Sequence, residues 1–248
     1  MQAERTPMEA ATHSEQDQLS SKLIAPRWHT LVILLLILAF SAIGELGAHS
    51  PSMTPPIRPQ VRVVGYVFAA VVEWLILAFV RFGIRLRNVN LRDLIGGRWS
   101  NWQAVVRDLG IVILFFIASN LVSALLTGFL KVDPSQAVRG MLPHGGIEAA
   151  LYLLMALTAG FCEEIIFRGY LQRQFTAMMG NAGAAVVTQG ILFAVFHGNQ
   201  GWKFMVIIAT YGWFLGALAY WRRSVRPGMI AHFVQDGLVG LLAPYLFK

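Results

Sequence analysis

The stretch from Ile147 to Leu171 reads IEAALYLLMALTAGFCEEIIFRGYL, and it decides the fold. It begins as an apolar run that can form a helix of about 20 residues, the length that crosses the hydrocarbon core of a membrane. It also carries two adjacent acids, Glu163 and Glu164, followed by Arg168. Ionisable residues at membrane depth cost roughly 2.5–3.5 kcal/mol each on insertion scales, so they indicate a functional site by default.

Six further apolar segments accompany this one, and the composition agrees with a membrane protein. Of the 248 residues, 56% are hydrophobic and 13% are charged, whereas soluble domains carry about 25% charged residues. We therefore predict an all-α, multi-pass transmembrane helical bundle of about seven spans over residues 29–248, after a polar tail, residues 1–28, that we expect to be disordered. The seven segments run approximately over residues 29–46, 61–82, 108–130, 147–168, 182–198, 203–221 and 227–247.

The basic residues predict how the bundle is oriented. Arginines cluster in the segments 81–107 and 222–226, whereas the loops 47–60 and 131–146 are nearly free of basic residues. Positively charged loops stay in the cytoplasm, so seven spans place the N-terminus in the cytoplasm and the C-terminus outside. In a bacterium the membrane would be the plasma (inner) membrane. The net charge of +7 then reflects topology, and we expect membrane lipid rather than nucleic acid as a partner.

The two adjacent acids differ in their surroundings if they lie on a helix. Glu164 and Arg168 are four residues apart, so they share one face and can form an ion pair. Glu163 is rotated by about 100° and has no partner on its own helix, so it would be presented to neighbouring helices. A structural ion pair beside a Glu that faces water explains this spacing as well as a catalytic site does.

Two further patterns place imidazoles inside apolar runs. His197 ends the run that contains Phe193, and His232 lies four residues before Asp236, on the same helical face. Taken singly, His197 is typical of a residue at the end of a helix, and the spacing of His232 and Asp236 is typical of a pair that stabilises a helix.

A length comparison brings two of these groups together. Suppose that the helix through Glu163 turns at Gly180 and Asn181. Glu163 then lies 18 residues before Asn181, about 27 Å at the α-helical rise, and His197 lies 16 residues after it, about 24 Å. An antiparallel hairpin would therefore hold Glu163 and His197 at nearly the same depth.

Such a cluster could hydrolyse a peptide bond in two ways, which the sequence does not separate. Glu163 could deprotonate a water held with His197, while His232 stabilises the oxyanion. Alternatively, Glu163, His197 and His232 could bind zinc, since two His and one Glu are the ligands of some catalytic zinc sites. Cys162 is the only cysteine, which excludes an intramolecular disulfide and argues against a cysteine-based metal site.

Three motifs in order resemble the CPBP family of intramembrane proteases, which includes CAAX prenyl proteases and the bacteriocin-processing Abi proteins. The segment Glu163–Leu171, EEIIFRGYL, follows the family's Glu-Glu-x-x-Phe-Arg-Gly-x-Leu. Phe193 and His197 match Phe-x-x-x-His, and His232 and Asp236 match His-x-x-x-Asn/Asp. The resemblance covers about residues 147–240.

The resemblance implies an all-helical intramembrane endopeptidase, of metallo- or glutamate type, that acts on a membrane-associated or lipidated protein or peptide. Glu163 and His197 would activate water, and His232 and Asp236 would stabilise the oxyanion. Glu164 would act with them in the catalytic site, and the supporting residues would be Arg168 and Phe193. The resemblance leaves two mechanisms open. In one, Glu163, His197 and His232 bind zinc, and in the other no metal takes part.

One residue departs from the pattern of the prenyl proteases. These carry Asn where this chain has Asp236, and an ionised Asp cannot donate a hydrogen bond to an oxyanion. Asp236 would have to be protonated, orient His232 or bind a metal. Glu73, midway along the second apolar run, is a further acid at membrane depth to which no partner can be assigned.

Two other classes of function remain for the same residues. The chain could be a non-catalytic membrane scaffold that keeps the polar pocket, because fold does not determine function. It could also be a proton-coupled transporter, in which intramembrane Glu, His and Asp form a relay. A relay, however, does not require Glu-Glu-x-x-Phe-Arg-Gly as a block.

Overall fold

The computed structural model describes residues 22–48, 57–133 and 139–246, and these residues form helices and connecting turns without a β-strand. The longer elements are α1 (Arg27–Ala48), α2 (Pro59–Arg85), α3 (Leu91–Ile95), α4 (Trp102–Leu130), α5 (Gly146–Glu163), a π-helix (Glu164–Leu171), α6 (Gln172–Met179), α7 (Ala182–Phe196), α8 (Trp202–Arg222) and α9 (Arg226–Leu246). Single 3-10 turns lie at Arg139–Met141 and Gly198–Gln200.

The all-α, multi-pass bundle is confirmed, since each of the seven predicted segments coincides with a helical stretch. Within the described ranges, five helical stretches are long and apolar enough to cross a membrane: Arg27–Gly47, Pro59–Arg85, Trp102–Leu130, Gly146–Met179 and Trp202–Arg222. The helix α7 is apolar but shorter, with 15 residues, and α9 is not among the five. The count of about seven spans therefore stays a prediction, and residues 1–21 of the predicted tail lie outside the described residues.

The helix through Glu163 continues to Met179 and then reverses, as predicted from the sequence. Gly180 ends α6 with a φ of 65°, in the left-handed region that glycine adopts without steric cost. Asn181 starts α7, because its side chain accepts a hydrogen bond from the backbone N–H of Ala184. The helix α7 then packs back against α6 and the π-helix, which forms the expected hairpin.

The π-helix is a feature that the sequence analysis did not predict. It follows Glu163 directly, and all eight of its residues are buried. At its end the N–H of Gln172 bonds the carbonyl of Phe167, five residues back. The rise of a regular α-helix does not apply to these eight residues, so the predicted equality of depth is only approximate. π-turns within α-helices are frequent at functional sites.

A buried polar network holds α1 and the residues before it against the π-helix and α6. His29 donates from Nε2 to the carbonyl of Phe79 (2.9 Å) and accepts at Nδ1 from the hydroxyl of Tyr170 (2.8 Å). The side chain of Gln174 accepts the N–H of Ala25 (3.3 Å) and donates to its carbonyl (2.8 Å). Buried polar groups need such partners, and here each of these side chains has one.

The helices α5 and α9 approach each other closely at Gly160. A Cβ atom there would lie 3.0 Å from the carbonyl oxygen of Met229 and 3.0 Å from the nitrogen of Phe233, which are both backbone atoms of α9. Small residues at helix interfaces allow this approach in membrane bundles. The contact matters for the site, because α5 carries Glu163 and α9 carries His232.

We expect Gly160→Leu to lower the detergent melting temperature, because the new side chain would meet backbone that cannot move aside. Overpacking of this kind typically costs about 1–3 kcal/mol. Thermal unfolding followed by circular dichroism measures the effect. Gly110→Leu is the matched control, since nothing lies within 4 Å of a Cβ at that position in α4. Equal melting temperatures for the two variants would contradict the close approach of α5 and α9.

Candidate functional site

Glu164 and Arg168 form a buried ion pair at the start of the π-helix. Arg168 donates from its NH1 group to Glu164 Oε1 at 2.7 Å, and neither side chain is exposed to solvent. The guanidinium lies 4.2 Å from the centre of the Phe193 ring, and its NH2 group points to the carbonyl of Gly212 at 3.4 Å. The ion pair predicted from the i, i+4 spacing is therefore present, and Phe193 supports it.

His232, on α9, faces three carboxyl groups. Its Nδ1 donates to Glu164 Oε1 at 3.1 Å, while Nε2 lies 3.5 Å from Asp236 Oδ2 and 3.8 Å from Glu163 Oε2. The ring is buried, and its edge packs against Phe193 with 5.7 Å between centroids. The structure thus brings Glu163, Glu164, His232 and Asp236 together from two different parts of the chain.

Glu163 is turned away from the Glu164–Arg168 pair, as its helical position predicts. It is the last residue of α5 and is only 3% exposed. Its Oε2 atom has no hydrogen-bond partner among the described residues, although it faces His232. Glu163 therefore presents a free acceptor atom inside the cluster.

His197 follows the last residue of α7 and reaches the cluster through Phe193. Its Nδ1–H donates to the carbonyl of Phe193 at 2.9 Å, and the two rings lie 4.8 Å apart. In the neutral imidazole this bond leaves the lone pair on Nε2. Among the residues that the structure describes, His197 makes this bond and none to Glu163, and the imidazole nearest Glu163 is that of His232. The joint action of Glu163 and His197 on a water molecule stays a prediction.

Asp236 is the most accessible member of the cluster. Its side chain is 34% exposed, whereas those of His232 and Glu163 are 3% and 4% exposed. The predicted i, i+4 relation between His232 and Asp236 holds, with Nε2 and Oδ2 3.5 Å apart. The described residues therefore enclose the cluster least on the side of Asp236.

Glu73 is the residue of the site that the sequence analysis left without a partner. It lies on α2, is 4% exposed and interacts electrostatically with Glu163. It also interacts electrostatically with Asp236. Its position inside an apolar run was the only sequence signal, because spacing along one helix does not reveal which residue of another helix lies opposite.

A glycine makes room for the ion pair on the side of α9. A Cβ atom at Gly228 would lie 2.7 Å from Glu164 Oε2. The absence of a side chain at this position lets α9 come close enough for His232, one turn further on, to reach Glu164.

The proposed zinc ligands do not form a ready metal site. Among the described residues, no group of three or more His, Cys, Asp or Glu side chains is arranged to hold a metal ion. Of the three side chains considered, only His232 and Glu163 face each other, at 3.8 Å, whereas His197 is bonded to Phe193. We therefore derive no catalytic step through a metal ion.

Comparison with known proteins identifies the same part of the chain. Residues 145–238 match the family model described as "Rce1-like: Type II CAAX prenyl endopeptidase Rce1-like". This region is a little over a third of the chain, and it begins at the N-terminal end of α5 and includes all three motifs. No curated protein and no solved structure matches the chain.

Proposed function

We propose that the chain is an intramembrane endopeptidase of the CPBP/CAAX type whose general base is Glu163, and the family match over residues 145–238 supports this proposal. The observation that carries the proposal is the position of Glu163. Its buried Oε2 lacks a hydrogen-bond partner in the described part of the chain and lies 3.8 Å from the imidazole of His232. A free carboxylate oxygen beside an oriented imidazole can accept a proton from water and act in hydrolysis.

In this mechanism Glu163 removes a proton from water as the water oxygen adds to the carbonyl carbon of the peptide. The C–N bond then breaks, and the proton passes from Glu163 to the leaving amine. His232, when it carries a proton on Nε2, donates to the oxyanion that develops on the carbonyl oxygen. Glu164, itself held by Arg168, accepts from Nδ1 of His232 and so fixes the orientation of the ring.

His197 and Asp236 complete the proposed site. The bond from Nδ1 of His197 to the carbonyl of Phe193 holds the ring with Nε2 available as an acceptor for water. Asp236 stands beside Nε2 of His232 and is partly exposed, so it would orient the imidazole where water enters.

The substrate class follows from the setting of the site. We infer a membrane-associated or lipidated protein or peptide, since the described helices that surround the site are apolar on their outer faces. Membrane lipid would surround the bundle. The basic loops would lie in the cytoplasm, with the N-terminus on that side, and in a bacterium the membrane would be the inner one.

A cleavage screen tests the proposal. The purified protein, reconstituted in liposomes, is incubated with a panel of lipidated and unlipidated peptides, and products are identified by mass spectrometry. Metal content is measured on the same preparation. The proposal expects a peptide-bond product from at least one member of the panel, and the absence of any product across a broad panel would count against it.

We expect His197→Ala to be as severe for cleavage as the loss of the Glu163 carboxylate, because both groups are assigned to the activation of water. Removal of a positioned acid–base group lowers the rate by about 10²–10⁴-fold. His144→Ala is the matched control, since His144 is exposed and lies outside the site. Cleavage by His197→Ala at the wild-type rate would show that the water-activating role is wrong.

A further inference from the structure

Tyr211 carries a buried hydroxyl group that the proposed mechanism does not use. The residue lies in the middle of α8, and its hydroxyl oxygen has no hydrogen-bond partner within residues 22–48, 57–133 and 139–246. A buried tyrosine usually finds such a partner, because leaving a polar group unpaired away from water is costly. An unpaired buried group in a folded protein therefore calls for an explanation, and a catalytic role is one.

Packing places the Tyr211 ring against the candidate site. The ring meets that of His232 edge to face, with 6.1 Å between centroids, and meets that of Phe115, on α4, at 5.8 Å. The next residue of α8 is also held in place, because the carbonyl of Gly212 accepts a hydrogen bond from the side chain of Gln189, on α7, at 2.9 Å. Contacts on several sides therefore fix Tyr211 beside His232.

The groups around Tyr211 leave its proton unused. Tyr211 interacts electrostatically with Glu164, Arg168 and Asp236. Both carboxyl groups face His232, at 3.1 and 3.5 Å, and neither accepts a hydrogen bond from Tyr211 in the part of the chain that the structure describes. The hydroxyl proton therefore remains available to a group that enters the site.

The proposed mechanism so far provides one donor for the oxyanion, Nε2 of His232. Asp236 stands beside this atom, but an ionised carboxyl group only accepts hydrogen bonds and adds no donor. Oxyanion sites hold several donors in place before the reaction, and a tyrosine hydroxyl is one of the groups that serve. Among the described side chains of the cluster, Tyr211 is the neutral donor without a partner, whereas Arg168 donates to Glu164 at 2.7 Å.

We propose that the hydroxyl of Tyr211 is a second catalytic donor, which together with Nε2 of His232 binds the oxyanion of the tetrahedral intermediate. This inference rests on the proposed function, since it needs a peptide carbonyl to be attacked beside His232. It explains why α8 buries a hydroxyl group without a partner, because the partner is an oxygen that carries negative charge only during the reaction. A donor of this kind lowers the barrier without tightening the binding of the substrate.

A structural role is the competing explanation, in which Tyr211 only fills the space between α8, α4 and α9. Tyr211→Phe separates the two roles, because Phe keeps the ring and removes only the hydroxyl group. Since that group is unpaired in the resting protein, its removal breaks no hydrogen bond, and the melting temperature in detergent should stay the same or rise. The catalytic role therefore predicts a variant that is as stable as the wild type and much slower, as expected where activity depends on an unfavourably placed group.

Steady-state kinetics with a peptide that the wild-type protein cleaves is the first measurement. We expect Tyr211→Phe to lower kcat by about 10²–10³-fold with KM unchanged, the loss that follows the removal of one oxyanion donor. Tyr220→Phe is the matched control and should keep the wild-type kcat, since it makes the same change on the same helix at a side chain that is 64% exposed. A wild-type kcat in Tyr211→Phe, a change in KM alone, or a lower melting temperature would each overturn the proposal.

Binding of a phosphinic peptide gives a second readout that needs no turnover. A phosphinic analogue of the cleaved peptide carries an anionic oxygen where the oxyanion forms, so it imitates the tetrahedral intermediate, and such analogues bind more tightly than substrates. We expect Tyr211→Phe to raise the Kd of this analogue by about the factor by which kcat falls. An unchanged Kd would show that the hydroxyl does not contact the oxyanion. Failure of the proposed function is distinguished from these results, because it would appear as a wild-type protein that cleaves no peptide, and this inference would fall with it.

Discussion

Glu163→Gln is expected to abolish peptide-bond hydrolysis and to leave the fold intact. The amide has nearly the shape of the carboxyl group but cannot remove a proton from water, and the loss of a positioned base lowers a rate by about 10²–10⁴-fold. The substitution should be tolerated structurally, because the buried ion pair of this region is made by Glu164 and Arg168 and remains in place.

The measurement is kcat and KM on a cleaved peptide, with the melting temperature taken on the same samples. Glu45→Gln serves as the matched control, since it makes the same chemical change at an exposed acid near the end of α1. Wild-type turnover by Glu163→Gln would remove Glu163 from the mechanism. A folded and inactive Glu163→Gln, beside an active Glu45→Gln, is the expected pattern.

The same variant separates the proposed enzyme from the two other classes of function. A scaffold that only keeps the polar pocket should retain its cellular effect when Glu163 becomes Gln. A proton-coupled transporter should lose proton coupling in Glu163→Gln, although no cleavage product would form even with the wild-type protein.

Contacts within one helix could be predicted from the sequence, because helix geometry is the same in every protein. Residues four apart share a face, so the pairing of Glu164 with Arg168 and that of His232 with Asp236 followed from spacing alone. Both pairs are present, at 2.7 and 3.5 Å. The isolation of Glu163 from the ion pair followed from the same geometry.

Contacts between helices were predictable only where a turn related the two helices. Gly180 and Asn181 gave a hairpin that returns α7 along the Glu163 helix, and that hairpin is present. No turn of this kind relates α2 to α5, and the two are separated by α3 and α4 along the chain. The electrostatic interaction of Glu73 with Glu163 therefore required the folded structure.

The π-helix was missed for a related reason. Its residues, Glu164–Leu171, are compatible with an ordinary α-helix, and periodicity cannot distinguish hydrogen bonds to the fourth residue from bonds to the fifth. The feature that distinguishes this segment is its tertiary environment. All eight residues are buried, and Tyr170 and Arg168 each bond to other helices, to His29 and to Gly212 respectively. The local conformation thus depends on partners far away in the sequence.

Arg168→Ala should be among the most destabilising single substitutions in this protein. It leaves Glu164, which has no solvent exposure, without its cation, and breaking a buried pair by removing one partner typically costs about 3–5 kcal/mol. It also removes the guanidinium that stacks on Phe193 at 4.2 Å. Since the Phe193 ring contacts both His197 and His232, we expect cleavage to fall together with the melting temperature.

A double variant shows whether the stranded charge is the cause. Glu164→Leu combined with Arg168→Met removes both charges and keeps bulk, and replacing a buried ion pair by apolar residues is often neutral or stabilising. We therefore expect the double variant to melt at a higher temperature than Arg168→Ala. It should still be inactive, because His232 loses the acceptor that orients its Nδ1.

Arg92→Ala, at an exposed position, should melt like the wild type. If Arg168→Ala also melted like the wild type, Glu164 would not depend on Arg168, and the rigid support for His232 would have to come from elsewhere.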